Sequence, residues 1–293
     1  MATEVIVTAD GRELAYAQWG DPGGFPVFSL HGTPGCRLNR HPDNDAIAAA
    51  GVRLITYDRP GFGRSTRRPG RRVMDCAGDV ASIADAEGIA RFAVTGGSGG
   101  GPHALAVAAR LPERVTRARC DSGPAPFGAE GLDWFAGMDP ENVKEFGWAL
   151  DGEDVLHSEL SREADQMVAR VGQDPSAVLG DGWDLAEADK EVLGNPIVQA
   201  VYREAVPEWF AHGVWGWADD DLALVAPWGF DLSEITVPVE IRYGAKDVLV
   251  PASHGAWLAE NVPGASVAVE SGQGHLASPD RVIELLRSLV PAG

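Results

Sequence analysis

The run Val94-Thr95-Gly96-Gly97-Ser98-Gly99-Gly100 constrains this chain more than any other stretch. It sets a serine inside G-x-S-x-G, directly after a short β-branched stretch and directly before helix-like Leu105 to Leu111. A hydroxyl that must project from a sharp strand-to-helix bend needs small neighbours, because the two backbones pass close together there. Gly96 and Gly100 supply that smallness. Ser98 is therefore a candidate nucleophile, which requires a base and a group that orients the base.

Both can be placed further along the chain. Val237 to Gly244 reads as a strand entered through Pro238 and left through Gly244, and Asp247 follows it in a K-D-x-x-x-P turn. Ala265 to Glu270 alternates as another strand. The loop Ser271-Gly272-Gln273-Gly274-His275 then presents His275 before a final helix, Arg281 to Leu289. Asp121, just after strand-like Thr116 to Cys120, is the rival acid, with Asp247 favoured for its turn. His103, five residues after Ser98, is read as packing or surface.

Two more motifs complete a pattern. His31-Gly32-Thr33-Pro34-Gly35 follows the apolar strand Val27 to Leu30, and Asp58-Arg59-Pro60-Gly61-Phe62-Gly63-Arg64-Ser65 forms a D-x-x-G-x-G-x-S turn. From about Leu14 to Val290, the chain resembles the α/β-hydrolase superfamily, whose catalytic groups run serine, acid, histidine in chain order. The resemblance implies an α/β fold with a mostly parallel eight-stranded sheet flanked by helices, plus an inserted helical lid. It implies a catalytic triad of Ser98, Asp247 and His275, and an oxyanion hole from the backbone N–H groups of Thr33 and Gly99. Asp58 stays with its turn, His31 takes a structural or pocket-lining role, and no cofactor or metal enters the scheme.

The formal charge of -19 is concentrated. Between Pro124 and Phe230 stand 22 acidic residues against 5 basic ones, together with seven of the nine tryptophans. This shift marks an inserted subdomain, so the chain divides into a core part at 1–123, an acidic Trp-rich helical lid at 124–230, and a second core part at 231–293. Ser161 to Arg170 reads as a helix opened by a capping serine, and Pro196 to Ala205 as one opened by proline. Aromatic side chains of such a lid can wall an apolar pocket above Ser98, so His31, Gly97, Trp134, Trp209 and Trp215 are the expected lining. The run Asp219-Asp220-Asp221 is expected to be solvated surface.

Phosphate repulsion and the lack of a basic patch argue against nucleic acid as a partner. No uninterrupted apolar run approaches membrane-spanning length, and Met1-Ala2-Thr3-Glu4-Val5 lacks the form of a secretory leader, so no membrane association and a cytoplasmic location are expected. The partner is a small-molecule substrate, and the protein is a monomer or a homodimer. Cys36, Cys76 and Cys120 are scattered singly and read as reduced structural residues. Cys36 adjoins the H-G-x-P-G loop but has nothing basic beside it to activate a thiolate.

Ser98 argues against dehalogenase and epoxide-hydrolase chemistry, which use aspartate at this position, and against dienelactone hydrolases, which use cysteine. Prolyl iminopeptidases are similar through H-G-G-P-G, an acidic lid and G-G-S-W-G; here Thr33 replaces the middle glycine and Gly99 the tryptophan. Were an amine recognised, Glu204 and Glu208 would be the first candidates. The leading expectation is a serine hydrolase cleaving carboxylic esters of small or medium apolar acyl groups. The alternatives are a prolyl-type aminopeptidase or amidase, and a biosynthetic non-hydrolytic catalyst on the same fold.

Overall fold

A computed structural model describes residues 3–180 and 182–291. Met1 and Ala2 of the amino-terminal reading, Asp181 of the acidic segment, and Ala292 and Gly293 at the end of the last segment lie outside them. In chain order the structure forms β1 (Glu4–Val7), β2 (Glu13–Gly20), β3 (Phe25–Leu30), α1 (Asn44–Ala49), β4 (Val52–Tyr57), α2 (Cys76–Ala86), β5 (Phe92–Gly97), α3 (Gly100–Arg110) and β6 (Val115–Asp121). Five helices follow: α4 (Pro140–Asp151), α5 (Glu153–Gln173), α6 (Glu187–Leu193), α7 (Pro196–Trp209) and α8 (Trp215–Val225). The chain then closes with β7 (Val239–Gly244), α9 (Ala252–Asn261), β8 (Ser266–Glu270) and α10 (Pro279–Ser288).

The eight strands form one sheet in the order β1-β2-β4-β3-β5-β6-β7-β8. Pairs β1–β2 and β2–β4 are antiparallel, and every pair from β4 through β8 is parallel. Parallel neighbours need crossovers, and helical crossovers cover both faces of a sheet, so the central strands must be apolar on both sides. Side chains alternate accordingly. Phe28, Ile55 and Val94 pack with α2 and α3, whereas their chain neighbours Val27, Leu54 and Ala93 pack with α1 and α10.

Between β6 and β7 the described chain is helical, without a strand. Leu156, Leu160, Ala164, Met167 and Val171 form the buried stripe of α5, at three- and four-residue spacing. Each large apolar side chain buried this way contributes about 1.5–3 kcal/mol. The stripe packs against Trp209 and Trp217 in a second core separate from the sheet. No helix among the described residues is long and apolar enough to cross a membrane.

Two sequence expectations fail here. Ser161 does not open a helix; it lies in the middle of α5 and donates back to the His157 carbonyl at 2.7 Å. The helix instead begins after Gly152, whose φ of +115° breaks it from α4, with Glu153 and Asp154 in its first turn. Asp219, Asp220 and Asp221 are not solvated surface either, for all three are buried on α8. Arg67 meets Asp219 at 2.9 Å and Arg71 meets Asp220 at 2.6 Å, so basic residues of the core supply the counter-charge.

Neither carboxyl oxygen of Asp221 finds a donor among the described residues, and its neighbour is another carboxyl, Glu145 of α4, to which Trp217 Nε1 donates at 2.8 Å. Burial pushes Glu145 up to about 7, with Glu163 adding repulsion. Burial also raises Asp221 well above the carboxylate range, reinforced by the charges of Glu145 and Asp220. A folded-state pKa raised above its unfolded value gives stability that is complete at low pH and lost as pH rises through the folded pKa. The protein should therefore lose stability as pH rises above the ordinary carboxylate values of these two groups, through about 7 for Glu145. Asp221→Asn should flatten that fall, read from urea unfolding at about pH 5 and about pH 8; an unchanged pH slope would show that Asp221 does not contribute to it.

Candidate active site

The turn after β5 is tight because it has to be. Ser98 takes a φ of +52°, its N–H donates to Asp121 O at 2.9 Å, and α3 begins two residues later. A Cβ at Gly96 would fall 2.1 Å from the carbonyl oxygen of Gly100, and one at Gly100 would fall 2.3 Å from that of Leu30. Strand, turn and helix close on one another only where side chains are missing. Ser98 thereby comes to line a cavity of about 410 Å³.

His275 lines the same cavity from the loop after β8. Its Nδ1 is 2.7 Å from Asp247 Oδ2, while Asp247 Oδ1 accepts the N–H groups of Leu249 and Val250 at 2.9 Å each. An imidazole whose Nδ1–H faces a carboxylate keeps Nε2 as its acceptor. Burial opposes protonation of His275, but the charge and hydrogen bond of Asp247, aided by Asp189, outweigh it and raise the pKa above the usual 6.5. Asp121 does not reach His275; its Oδ2 accepts from Thr95 and Arg119 instead.

Asp189 escaped sequence reasoning. It is fully buried on α6 and accepts the N–H groups of His275 at 3.0 Å and Leu276 at 2.7 Å, fixing the histidine loop. A Cβ at Gly274 would lie 2.0 Å from its carboxylate, so the loop's last glycine is needed for that contact. Nothing local in Glu187-Ala188-Asp189-Lys190 marks it, because its partners lie more than eighty positions away.

The H-G-x-P-G loop runs along the far side of Ser98. His31 is buried, with Nδ1 2.7 Å from Gly32 O and Nε2 accepting the Arg59 N–H at 3.2 Å. Burial, with the neighbouring Arg59 charge, holds it well below the usual histidine value, so both nitrogens are engaged and the ring stays neutral. Thr33 Oγ1 donates to Asp220 Oδ2 at 2.6 Å. Neither the Thr33 nor the Gly99 backbone N–H donates to another described residue. The Ser98 carbonyl accepts from Gly101 N at 2.8 Å, which sets the peptide plane carrying the Gly99 N–H.

Of the expected lining, His31, Gly97 and Trp209 are on the cavity wall, and Trp134 and Trp215 are not. Trp134 packs edge-on to Phe146 and donates to Ala125 O, in the core shared by α4 and α9. Trp215 stacks on His157 beneath the Arg67 guanidinium and borders a separate hollow. The roof is aliphatic as much as aromatic, built from Met167, Val178, Leu179, Ile197 and Val201. Glu204 and Glu208 do not line it: Glu208 pairs with Arg37 and Arg64, and Glu204 with Arg40. His103 is wholly buried in α3, facing Gly99 O with Nδ1, so packing rather than surface describes it. Burial raises the Cys36 thiol, which is off the cavity, and Asp58 holds its turn through Arg37 and Arg64.

A parallel-sheet scaffold carrying these groups at its strand ends defines a class, and the sequence comparison agrees. The chain belongs to the alpha/beta hydrolase fold family, whose model matches residues 26–282. It is 30% identical to a 2-hydroxy-6-oxononadienedioate/2-hydroxy-6-oxononatrienedioate hydrolase of Burkholderia vietnamiensis, over 93% of this chain and 88% of that one. It is 26% identical to a proline iminopeptidase of Xylella fastidiosa, over 96% and 93%. Among solved structures, it is similar to an enol-lactonase from Burkholderia xenovorans (TM-score 0.67, 22% identity, 97% of each chain) and to an esterase from Exiguobacterium antarcticum (TM-score 0.67, 21% identity, 99% of this chain and 98% of that one). At that identity the two structures show the shared fold alone.

Thr33 and Gly99, the two departures from the prolyl iminopeptidase pattern, touch each other. A Cβ at Gly99 would lie 2.3 Å from Thr33 Oγ1, so the threonine occupies the space a side chain at 99 would need. Gly99→Ala should destabilise the protein strongly beside Thr33 and much less in Thr33→Gly. A double-mutant cycle in urea should give a coupling of about 0.5–3 kcal/mol, and additive effects would mean the two positions are independent.

Proposed function

We propose that this protein is a serine hydrolase that cleaves carboxylic esters of small or medium apolar acyl groups through an acyl-enzyme. One observation carries the reading: Ser98 and the Asp247-bound His275 line one cavity, whose roof is aliphatic and aromatic. In this mechanism His275 takes the proton of Ser98 as the hydroxyl attacks the acyl carbonyl, and Asp247 holds the imidazole and stabilises its charged form. The N–H groups of Thr33 and Gly99 receive the developing oxyanion. His275 next protonates the leaving alcohol, and water, activated by the same base, releases the acid from Ser98. The helices between β6 and β7 act as a lid, with α5 and α7 roofing the site and keeping water from the reacting centre.

The ester reading is preferred to the aminopeptidase one because of charge. Glu204 and Glu208 do not line the cavity and are paired with arginines, and the carboxylate that does line it, Asp121, is matched by Arg119. A substrate ammonium would meet no free acid there among the described residues.

A fluorophosphonate should label Ser98, and Ser98→Ala should abolish hydrolysis of aryl esters. Short and medium aryl esters should be turned over faster than an unblocked proline arylamide, and the opposite order would overturn the ester assignment. Because the base acts as neutral imidazole, activity should rise with pH through the raised pKa of His275, placing the acid limb above the ordinary 6.5. In Asp247→Asn, burial is left opposed only by Asp189, so the limb should move to lower pH while turnover drops by up to about 10⁴-fold. A limb that stays in place would show that Asp247 does not set the histidine's charge.

A further inference from the structure

Thr33 is held from two directions by one carboxylate. Asp220, fully buried on α8, accepts Thr33 Oγ1 at 2.6 Å and Arg71 Nη1 at 2.6 Å. It also accepts Arg59 through Nε at 3.2 Å and Nη2 at 2.5 Å. Arg59, fixed in this way, donates through Nη1 to His31 O and through Nη2 to Gly32 O at 3.0 Å. The Gly32 carbonyl and the Thr33 N–H belong to one planar peptide unit, in which the N–H points away from the oxygen. With the oxygen drawn toward Arg59, the N–H must turn to the opposite side. Gly99 stands close by, since its Cβ position would be 3.3 Å from Thr33 N.

We propose that Asp220 is the positioning residue of the oxyanion site, holding the Thr33 side chain directly and the Thr33 amide plane through Arg59. The inference rests on the reading that Ser98 attacks an acyl carbonyl. It makes α8 part of the active-site frame: a carboxylate 187 positions from Thr33 in sequence decides where that N–H points. Oxyanion donors act only if aligned with the atom where charge develops, so a small rotation of the Gly32–Thr33 unit weakens the transition state far more than substrate binding.

The test compares Thr33→Val, Thr33→Ser and Asp220→Asn on an aryl ester and on the matching thionoester, in which sulfur replaces the carbonyl oxygen and accepts hydrogen bonds poorly. Thr33→Val is nearly isosteric and leaves the Asp220 ion pairs in place, so it separates alignment from unfolding. Rates are expressed per site titrated with fluorophosphonate, which counts only competent protein. In Thr33→Val and Asp220→Asn, kcat on the ester should fall about 10- to 100-fold with KM within about threefold, and the ester-to-thionoester rate ratio should shrink. Thr33→Ser, which keeps the hydroxyl, should stay within about threefold of the native protein. A native rate ratio in Thr33→Val, or an equal loss in Thr33→Ser, would overturn the proposal. Native protein that fails to label at Ser98, or Ser98→Ala with undiminished hydrolysis, would instead bring down the underlying nucleophile reading, and these outcomes are read before any Thr33 variant is made.

Discussion

Burying the Asp220 carboxylate is the constraint around which this molecule is arranged. Stripping a carboxylate of water costs several kcal/mol even after the protein relaxes, so its position is tenable only with counter-charges in place. Burial opposes its ionisation, yet the guanidiniums of Arg59 and Arg71 hold Asp220 far below the usual carboxylate range. Removing one member of such a cluster typically costs about 3–5 kcal/mol, because it strands an uncompensated charge. The cluster therefore rivets α8 to the core; Arg71 Nη2 also donates to Gly216 O in the first turn of that helix.

Close backbone approach is the second organising feature, and it has the same logic of exclusion. Gly61 and Gly216 meet where the D-x-x-G-x-G-x-S turn abuts α8, with each Cβ position less than 3 Å from the other's neighbourhood. A Cβ at Gly244 would lie 2.0 Å from Gly274 O, so the end of β7 and the histidine loop touch through bare backbone. These contacts bring Asp247 and His275 together from two adjacent strand ends. The cavity is thus framed by polar clamps on one side and glycine contacts on the other, with the aliphatic roof laid across.

Legibility in the sequence followed the range of the interactions involved. The strand before Ser98, the helix after it, the turn carrying Asp247 and the loop carrying His275 were readable, because each depends on residues within a few positions. Pro196 opened α7 as expected, with Asn195 capping Ile197 N–H. Ser161 misled because a serine followed by acids looks the same inside a long helix as at its start, and only Gly152 upstream marked the true break. Trp134 and Trp215 misled for a different reason: a count of tryptophans says nothing about which of them faces the cavity and which fills the joint between α4 and α9.

The sequence by itself determined the order of Ser98, Asp247 and His275 along the chain, the bends that hold them, and the helical character of the segment between β6 and β7. Those properties are written in local rules: glycine where backbones cross, proline where helices begin, alternation where a sheet is covered on both faces. Only the tertiary structure decided that Asp219, Asp220 and Asp221 are interior, that Asp189 holds the histidine loop, and that Glu204 and Glu208 are bound to arginines and do not line the cavity. A carboxylate reads the same in sequence whether it faces water or a guanidinium, and its partner, set by how distant segments pack, decides which of the two it is.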